Sequence, residues 1–194
     1  MIRRSTAPHS RFSMQSPKPD CGSPIPIGLG FGSNIGEAAA NIDRALREIE
    51  EWGVARITAR SSLWRTAPWG YMAQPDFANL CALAETRLPP ADLLAALKRL
   101  EADLGRTANV RWGPRVIDID ILFYDDLTSA DADLTLPHRE LFRRAFVLVP
   151  LAEIAPDLMI AGRRIGDAAR EADQTGIEKW HAGNMSNNPG KRDE

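Results

Sequence analysis

The sequence holds few of the residues from which disulfide and metal scaffolds are built, with two cysteines and three histidines among 194 residues. Cys21 lies in a proline-rich segment and Cys81 in an apolar one, so we expect two free thiols and a reducing compartment. The scattered histidines argue against structural zinc. No run of about 18 apolar residues is available to span a bilayer, and no apolar segment follows the amino terminus. We therefore expect a cytoplasmic protein that is neither secreted nor bound to a membrane.

The sequence also lacks an excess of positive charge. Its 24 Lys and Arg against 26 Asp and Glu give a formal net charge of -2, so we expect no nucleic-acid partner. With 44% apolar residues, a chain of this length is expected to form one core and one domain. We place the domain at residues 27–172, between two polar segments, 1–26 and 173–194, that are predicted to be disordered. The first of these also has the composition of a mitochondrial transit peptide, although its prolines disfavour the amphipathic helix of such peptides.

Hydrophobic periodicity predicts the element order β-α-β-β-α-β. The strands are predicted at residues 27–31, 57–66, 77–86 and 116–124, and the helices at 37–52 and 91–104. Pro89 and Pro90 favour the start of the second helix, and Gly105 favours its end. This order is the split arrangement of an α+β fold, in which helices cover one face of an antiparallel sheet. Two more helices, at 146–154 and 165–172, are predicted as an added C-terminal segment.

Two acidic residues share one side of the fourth predicted strand. Alternate side chains of a strand point to the same face, so Asp118 and Asp120 are neighbours about 7 Å apart. Such a pair suits Mg²⁺, which usually takes one or two carboxylates together with substrate phosphates. For the pair taken alone, an amphipathic strand that shows its acids to water is the better explanation. However, Arg106, Arg111 and Arg115 flank the acids, and arginine suits bidentate phosphate contact, so the segment favours a nucleotide polyphosphate and a metal.

A second group of basic residues follows Pro137. His138 is joined there by Arg139, Arg143 and Arg144 near a predicted helix start, which suits a second phosphate-contacting site. A histidine that is solvated or hydrogen-bonded locally explains His138 as well, and the sequence leaves both interpretations open.

Amide and aromatic side chains gather near the ends of neighbouring predicted strands. Asn34 follows the first strand, Trp69 follows the second, and Phe77 and Asn79 begin the third. A flat heterocycle needs such groups, because amides bond to its edge and aromatic rings stack on its faces. Asn34 follows a glycine and a serine, so a simple turn is an alternative explanation of that motif.

Six segments, spread over residues 27–158, together resemble the hydroxymethyldihydropterin pyrophosphokinase family. They are Gly32-Ser33-Asn34, Arg65-Thr66-x-Pro68, Gln74-Pro75-Asp76-Phe77-x-Asn79, Glu101-x-x-x-Gly105-Arg106, Arg111-Trp112-Gly113-Pro114-Arg115-x-Ile117-Asp118-Ile119-Asp120-Ile121, and Pro137-His138 through Arg144-x-Phe146. The fifth segment is the most specific. The resemblance implies a ferredoxin-like α+β fold. It also implies transfer of the β,γ-diphosphate of ATP to 6-hydroxymethyl-7,8-dihydropterin with release of AMP, a step of folate synthesis.

The resemblance further implies roles for individual residues. Asp118 and Asp120 would bind two Mg²⁺ ions that bridge the phosphates, and Arg106 and Arg115 would be the catalytic arginines. The residues implied in ATP binding are Lys98, Glu101, Arg106, Trp112, Arg115, Ile121, Leu134, Thr135, His138 and Arg144. Those implied in pterin binding are Asn34, Thr66, Ala67, Trp69, Phe77, Asn79, Asp118 and Phe146, with the rings of Phe77 and Phe146 stacking on the pterin.

Four positions depart from the family's pattern. Lys98 stands where the family commonly has glutamine, Ala67 where it has a proline, and Ala108 and Asp133 where some members have arginine. The departures at Lys98 and Ala67 remove no metal ligand, whereas those at Ala108 and Asp133 are expected to weaken ATP binding. We expect a monomer, which is the family's usual state, since the sequence contains no heptad seam.

Three other functions fit parts of the pattern. The same element order builds sheets that stack RNA bases, but the paired aromatic contact motif is missing, and Asp118 and Asp120 would repel phosphate without a metal. An ATP-binding regulatory relative that has lost catalysis is a second alternative. An enzyme with the same mechanism and a different phosphoacceptor is a third, and the sequence alone does not separate these two from the pyrophosphokinase.

Overall fold

The computed structural model describes residues 23–68, 73–106 and 113–180. Within these ranges the elements follow the predicted order. The strands are β1 (Ile25–Ser33), β2 (Arg56–Arg60), β3 (Trp64–Thr66), β4 (Phe77–Thr86), β5 (Asp118–Tyr124), β6 (Ser129–Ala130), β7 (Thr135–Leu136), β8 (Met159–Ile160), β9 (Arg163–Arg164) and β10 (Ile177–Lys179). The helices are α1 (Ala38–Glu51), α2 (Pro90–Asp103), α3 (Ala145–Ile154) and α4 (Ile165–Glu171), with a 3₁₀ turn at Leu141–Arg143.

β1 lies inside the main sheet, whose strand order is β10-β3-β4-β1-β5, with β2 also paired to β4. Every pairing in this sheet is antiparallel. β2 and β3 together correspond to the second predicted strand, so the predicted strands lie in the order second, third, first, fourth. This is the split β-α-β arrangement, and the predicted α+β fold is confirmed. β6 with β7 and β8 with β9 form two small separate hairpins.

The predicted second strand, 57–66, is divided in the structure. Ser61 lies at the break, where its backbone N–H donates to the carbonyl oxygen of Cys81 at 2.9 Å and its hydroxyl accepts the N–H of Cys81 at 3.0 Å. A side chain therefore replaces one of the bonds between the strands, and β3 then pairs with β4 again. Hydrophobic periodicity carries no signal for such a bond, so the sequence predicted one continuous strand.

The first face of the sheet is covered by α1 and α2. Ile42 and Ile49 of α1 and Leu93 and Leu97 of α2 have no exposed surface and pack with Leu29 of β1 in one core. These residues recur every three or four positions, which is the helical period that predicted the two helices. The two predicted helices, α1 and α2, therefore form the layer that covers the first face of the sheet.

The second face is covered by the C-terminal helices. Leu148 and Leu151 of α3 and Ile165 of α4 pack with Cys81 of β4 in a second core. The neighbouring Leu80 belongs to the first core, so the two cores lie on opposite sides of β4. The expectation that helices cover only one face is corrected, because α3 and α4 add a third layer.

The described structure extends past both predicted domain boundaries. β1 begins at Ile25, ahead of the predicted start at 27, and β10 lies within the segment 173–194 that was predicted to be disordered. The prediction of disorder is corrected for these two stretches. The other parts of the predicted tails, 1–22 and 181–194, lie outside the described residues. Within the described ranges, no helix is long and apolar enough to cross a membrane.

β1 and β5 approach each other closely at Gly28. A Cβ atom at this position would lie 2.2 Å from Cε1 and 2.5 Å from Cδ1 of the Phe123 ring, which is buried. Because Phe123 is only 6% exposed, its ring must be displaced to admit a Cβ atom here, and the contact favours glycine. The register between the two strands also shifts at this point, between Gly28 and Leu29.

We predict that Gly28→Ala lowers the free energy of unfolding by about 1–3 kcal/mol, the range for overpacking a core. Gly32→Ala is the control in the same strand, because its Cβ would meet only Oδ1 of Asn79 at 3.5 Å, an ordinary contact. Unfolding in urea measures both variants. Equal midpoints for the two would contradict the close approach at Gly28.

Candidate active site

A cleft of about 340 Å³ lies on the second face of the sheet, at the end that α3 leaves open. Its floor is formed by β4, β1 and β5, and on this face the central strand β1 presents only Gly30 and Gly32, since the side chain of Phe31 between them packs in the first core. Because β1 places no side chain on this face, the space between β4 and β5 stays open. The residues of the floor, in register across the three strands, are Asn79, Gly32 and Asp118, followed by Cys81, Gly30 and Asp120.

Asp118 lies between two arginines in this cleft. Its Oδ1 accepts a hydrogen bond from Nη1 of Arg106 at 2.5 Å, and its Oδ2 accepts one from Nη1 of Arg115. Burial acts to raise the pKa of the Asp118 carboxyl, but the charges of Arg115 and Arg106 outweigh burial and hold this pKa below its usual value. The carboxylate is therefore ionised at neutral pH.

Asp120 lies on the same face and contacts the second basic group. Its Oδ2 is 3.3 Å from Nη1 of Arg144 and 3.9 Å from Nε2 of His138. Burial lowers the pKa of His138, and the charges of Arg144 and Arg139 lower it further against the opposing effect of Asp120. The imidazole is accordingly neutral near pH 7. The structure thus brings His138, which the sequence left ambiguous, into the same cleft as the two acids.

Glu101 of α2 lies behind the wall of the cleft and is only 2% exposed. Its carboxylate accepts hydrogen bonds from Nζ of Lys98 at 2.9 and 3.1 Å and from the backbone N–H of Ile119 at 2.7 Å, and it pairs with Arg106 at 2.6 Å. Burial raises the pKa of Glu101, and the contacts with Lys98, Ile119 and Arg106 offset this only in part. Because Ile119 separates the two aspartates, Glu101 ties α2 to the part of β5 that carries them.

The cleft carries more positive than negative charge. Its lining includes two carboxylates, those of Asp118 and Asp120. With the buried Glu101, three carboxylates stand against five cationic side chains, so two positive charges remain in excess. Such an excess favours a polyanionic ligand. The five cationic side chains of the lining are Lys98, Arg106, Arg115, Arg139 and Arg144.

The side of the cleft nearest β3 is aromatic and carries amide and hydroxyl groups. Phe77 and Asn79 of β4, Phe146 of α3, and Thr66 and Ala67 at the end of β3 line it. Nδ2 of Asn79 donates to Oγ1 of Thr66 at 2.7 Å. Since β4 and β1 lie between β3 and β5 at a spacing of about 4.8 Å per strand, the end of β3 lies about 14 Å from the strand that carries the acids.

Two guanidinium groups join the aromatic side to the charged side. The guanidinium carbon of Arg115 lies 5.8 Å from the ring centroid of Phe77, and that of Arg144 lies 5.6 Å from the ring centroid of Phe146. Both distances allow cation–π attraction. The arginines that face Asp118 and Asp120 therefore also hold the two rings implied in stacking.

Some of the residues named from the sequence lie away from the cleft. Ile121 is 4% exposed in the first core, and Leu134 packs against that core. Oγ1 of Thr135 donates to the backbone oxygen of Asp131 at 3.0 Å, and the departing residue Asp133 is exposed. The structure does not bring these residues to the cleft lining. Four other residues lie outside the described ranges, namely Trp69, Ala108, Arg111 and Trp112.

Asn34 supports the cleft and does not line it. Its Oδ1 accepts the backbone N–H of Arg115 at 2.8 Å, and its Nδ2 donates to Oε1 of Gln74 and to the backbone oxygen of Pro75, both at 3.1 Å. The backbone N–H of Asn34 also donates to the oxygen of Arg115 at 3.1 Å. One buried amide thus joins the end of β1 to the segments on either side of the cleft.

Cys81 is a lining residue that sequence analysis did not assign to the site. It follows Phe77 and Asn79 at steps of two along β4, so strand alternation was the signal that pointed to it. Burial raises the pKa of its thiol, and Sγ lies 3.4 Å from the backbone oxygen of Val147. Cys81 is therefore a neutral, apolar part of the floor.

The aspartates fit magnesium better than a metal held by protein alone. In the described ranges, no group of three or more His, Cys, Asp or Glu residues is arranged to hold a metal ion. The side chains of Asp118 and Asp120 are 20% and 32% exposed. Mg²⁺ often takes one or two carboxylates and completes its coordination with water and substrate phosphates. The donors present are thus suited to Mg²⁺ when a phosphate ligand is bound.

A second cleft, at the other end of the same face, has the wrong charge for a polyanion. It holds about 540 Å³, and its described lining includes Glu85, Asp125 and Asp126 but no Lys, Arg or His. Its larger volume does not compensate for repulsion between these acids and phosphate. The smaller cleft is therefore the candidate active site.

The fold and the cleft define a class of protein, an α+β domain with a cleft that has a cation-rich side next to an aromatic side. The 7,8-dihydro-6-hydroxymethylpterin-pyrophosphokinase (HPPK) family model matches residues 28–156. The chain belongs to this family, and the resemblance stated from the sequence is confirmed.

Individual relatives agree with the family match. The 2-amino-4-hydroxy-6-hydroxymethyldihydropteridine pyrophosphokinase of Methylorubrum extorquens is 48% identical over 151 residues, which cover 78% of this chain and 96% of the relative. The protein of the same description from Pseudomonas aeruginosa is 39% identical over 152 residues, 78% of this chain and 94% of the relative.

A solved structure confirms the fold. Plasmodium falciparum HPPK-DHPS wild type, with pterin and p-hydroxybenzoate, matches with a TM-score of 0.63 at 16% identity. The match covers 79% of this chain and 42% of that longer chain. At this identity the likeness shows a shared fold.

We predict that Asn34→Ala speeds hydrogen exchange at the backbone amide of Arg115 and lowers the free energy of unfolding by about 1–3 kcal/mol, because buried groups lose their partner. Gln74→Ala is the control, since it removes one contact of Asn34 and leaves the bond to Arg115 in place. Exchange measured by mass spectrometry distinguishes the two. Unchanged exchange at Arg115 in Asn34→Ala would show that the amide does not hold this segment.

Proposed function

We infer that the protein transfers the β,γ-diphosphate of ATP to the hydroxymethyl group of 6-hydroxymethyl-7,8-dihydropterin, releasing AMP, as a step of tetrahydrofolate biosynthesis. The observation that carries this inference is a single cleft with a cation-rich side at β5 and an aromatic, amide-bearing side at β3. The names of the relatives from Methylorubrum and Pseudomonas describe this activity. We also propose that the enzyme acts in the cytoplasm as a monomer, on the sequence grounds given above.

The cation-rich side is suited to the polyphosphate of ATP. Arg106 and Arg115 are both bound to Asp118 in this structure, and Arg144 is bound to Asp120. Arginine forms strong paired hydrogen bonds with phosphate oxygens. We propose that these three side chains turn from the carboxylates toward the phosphates when ATP binds, and that Arg106 and Arg115 neutralise the charge that develops during transfer.

The carboxylates that are released in this exchange are the proposed metal ligands. Asp118 and Asp120 would hold two Mg²⁺ ions, which when bound supply further neutralisation of the phosphate charges. Lys98 is bound to Glu101. Because Glu101 is buried, its carboxylate has no access to the nucleotide. We therefore propose a supporting role for Glu101, in place of the direct ATP contact that the resemblance implied.

The aromatic side is suited to the pterin. Phe77 and Phe146 offer ring faces, and Thr66 and Asn79 offer a hydroxyl and an amide for the edge of a heterocycle. This end also contains Ala67 and Cys81, whose small side chains leave space. We propose that the ring stacks here with its hydroxymethyl group directed toward Asp118 and the phosphates.

The reaction needs alignment more than covalent chemistry by the protein. The oxygen of the alcohol forms a bond to the β-phosphorus, the bond from that phosphorus to the bridging α,β-oxygen breaks, and AMP leaves with the electron pair. The alcohol proton is released, and we assign no side chain as its general base. Holding the two substrates in line is the main contribution of the cleft, as in other phosphoryl transfers.

We predict that the purified protein forms AMP from ATP only when the pterin alcohol and Mg²⁺ are both present. Asp118→Asn and Asp120→Asn should each lower kcat by at least about 100-fold, the scale for losing a group that stabilises transition-state charge. Asp125→Asn is the matched control, because Asp125 follows the same strand but faces the second cleft, and its positive φ of 47° suits asparagine.

Product identity separates the alternatives. ADP in place of AMP would mean that the alcohol attacks the γ-phosphorus, and the proposed reaction would be wrong. Tight ATP binding without any product would favour a regulatory relative. Full activity of both aspartate variants would overturn the proposed roles of the two acids.

A further inference from the structure

β10 adds a strand to the edge of the main sheet, beyond the part of the chain that the family model matches. The match ends at residue 156, whereas β10 spans Ile177–Lys179 and pairs antiparallel with β3. β3 has only three residues and pairs on its other side with β4. A strand this short gains little stability from a single neighbour. The pairing with β10 is therefore important for holding β3 in place.

Backbone and packing contacts attach this segment, which we name the C-terminal clasp and define as residues 177–180. The ladder pairs Ile177 with Thr66, and the N–H of Trp180 donates to the backbone oxygen of Leu63 at 2.8 Å. The side chains of Leu63 and Trp180 both pack against the first core. Glu178 also pairs with Arg65 at 2.6 Å, but both side chains are exposed and such pairs contribute little.

Glu153 of α3 joins the clasp to the rest of the second face. Its carboxylate accepts hydrogen bonds from the backbone N–H and the hydroxyl of Ser62 at 3.1 and 2.7 Å and from Nε1 of Trp64 at 3.0 Å. Nζ of Lys179 lies 3.1 Å from the same carboxylate. Burial acts to raise the pKa of Glu153, but these bonds outweigh burial and lower it. One side chain thus connects α3, β3 and β10.

The strand held in this way ends at the cleft. Thr66 and Ala67 line the aromatic side, and Thr66 accepts the hydrogen bond from Asn79. α3, the other element that Glu153 connects, carries Phe146 on the same side of the cleft. Asp118 and Asp120 lie on β5, which β4 and β1 separate from β3, and Arg106 and Arg115 contact Asp118 there. Loosening β3 should therefore disturb one substrate subsite and spare the other.

We propose that the C-terminal clasp is a positioning element for the pterin subsite. It acts through β3, by holding Thr66 and Ala67 in place against Asn79. This inference rests on the proposed function for the identity of the pterin. The attachment of β10 to β3 is tested independently of any activity.

The first test compares two truncations, one ending at residue 172 and one ending at residue 180. The shorter protein lacks the clasp, and the longer one is the control that keeps it. Without the clasp, we expect KM for the pterin to rise about fivefold, the factor for losing one hydrogen bond, while KM for ATP and kcat stay within about twofold. The truncation ending at 180 should match the full chain. An equal rise in both KM values, or no rise, would overturn the positioning role.

Hydrogen exchange at residues 64–66 without substrates separates this inference from the proposed function. Exchange there should be faster in the truncation ending at 172 than in the one ending at 180, even if neither protein forms AMP. Unchanged exchange would overturn the clasp whatever the activity. Faster exchange with an unchanged pterin KM would show that β3 is held but does not position the substrate.

A point variant of the full chain covers the case in which the shorter truncation fails to fold. Glu178→Arg sets two like charges together at Arg65 and should speed exchange at 64–66 by about twofold, as expected for a surface pair. Glu171→Arg is the matched control, since Glu171 forms a similar exposed pair with Arg163 at 3.0 Å, away from β3. Equal exchange in the two variants would contradict the clasp.

Discussion

The buried carboxylate of Glu101 is the interaction on which the site depends. An ionised group that is 2% exposed is stable only when charged and polar partners surround it. Lys98, Arg106 and the N–H of Ile119 provide those partners. Removing one partner of a buried ion pair typically costs about 3–5 kcal/mol, so these contacts fix α2 against β5. Arg106 is held beside Asp118 as a result, and the charged side of the cleft is assembled before any ligand binds.

The space for that ligand comes from the backbone of β1. Gly30 and Gly32 pair with residues of β4 on one side and of β5 on the other, and they leave the middle of the floor without side chains. A larger residue at these positions would divide the aromatic side from the charged side. Because a phosphate donor and its acceptor must meet within one cleft, the two glycines are as important to the chemistry as the charged residues.

The sequence predicted the parts of the fold and site that depend on local pattern. The helical period predicted α1 and α2. The alternation of β5 and the family motifs predicted that Asp118, Asp120, Arg106 and Arg115 lie together, as they do in the structure. Long-range contacts were not predictable in this way. The division of the second strand depends on a bond from Ser61 to Cys81, and the covering of the second face depends on where α3 docks. For the same reason, the sequence predicted that Asn34 contacts a ligand, whereas in the structure its side chain joins two segments of the chain.

The exchange of arginine partners from carboxylate to phosphate is the central physical step in the proposed function. It is tested most directly by titrating the protein with a non-hydrolysable ATP analogue by calorimetry, with and without Mg²⁺. We expect Mg²⁺ to tighten binding in the unaltered protein and to have little effect in Asp118→Asn, where the carboxylate that would be released to the metal is missing. Equal affinity with and without Mg²⁺ in the unaltered protein would contradict the release of the two aspartates to a metal, which is the part of the exchange that this titration tests.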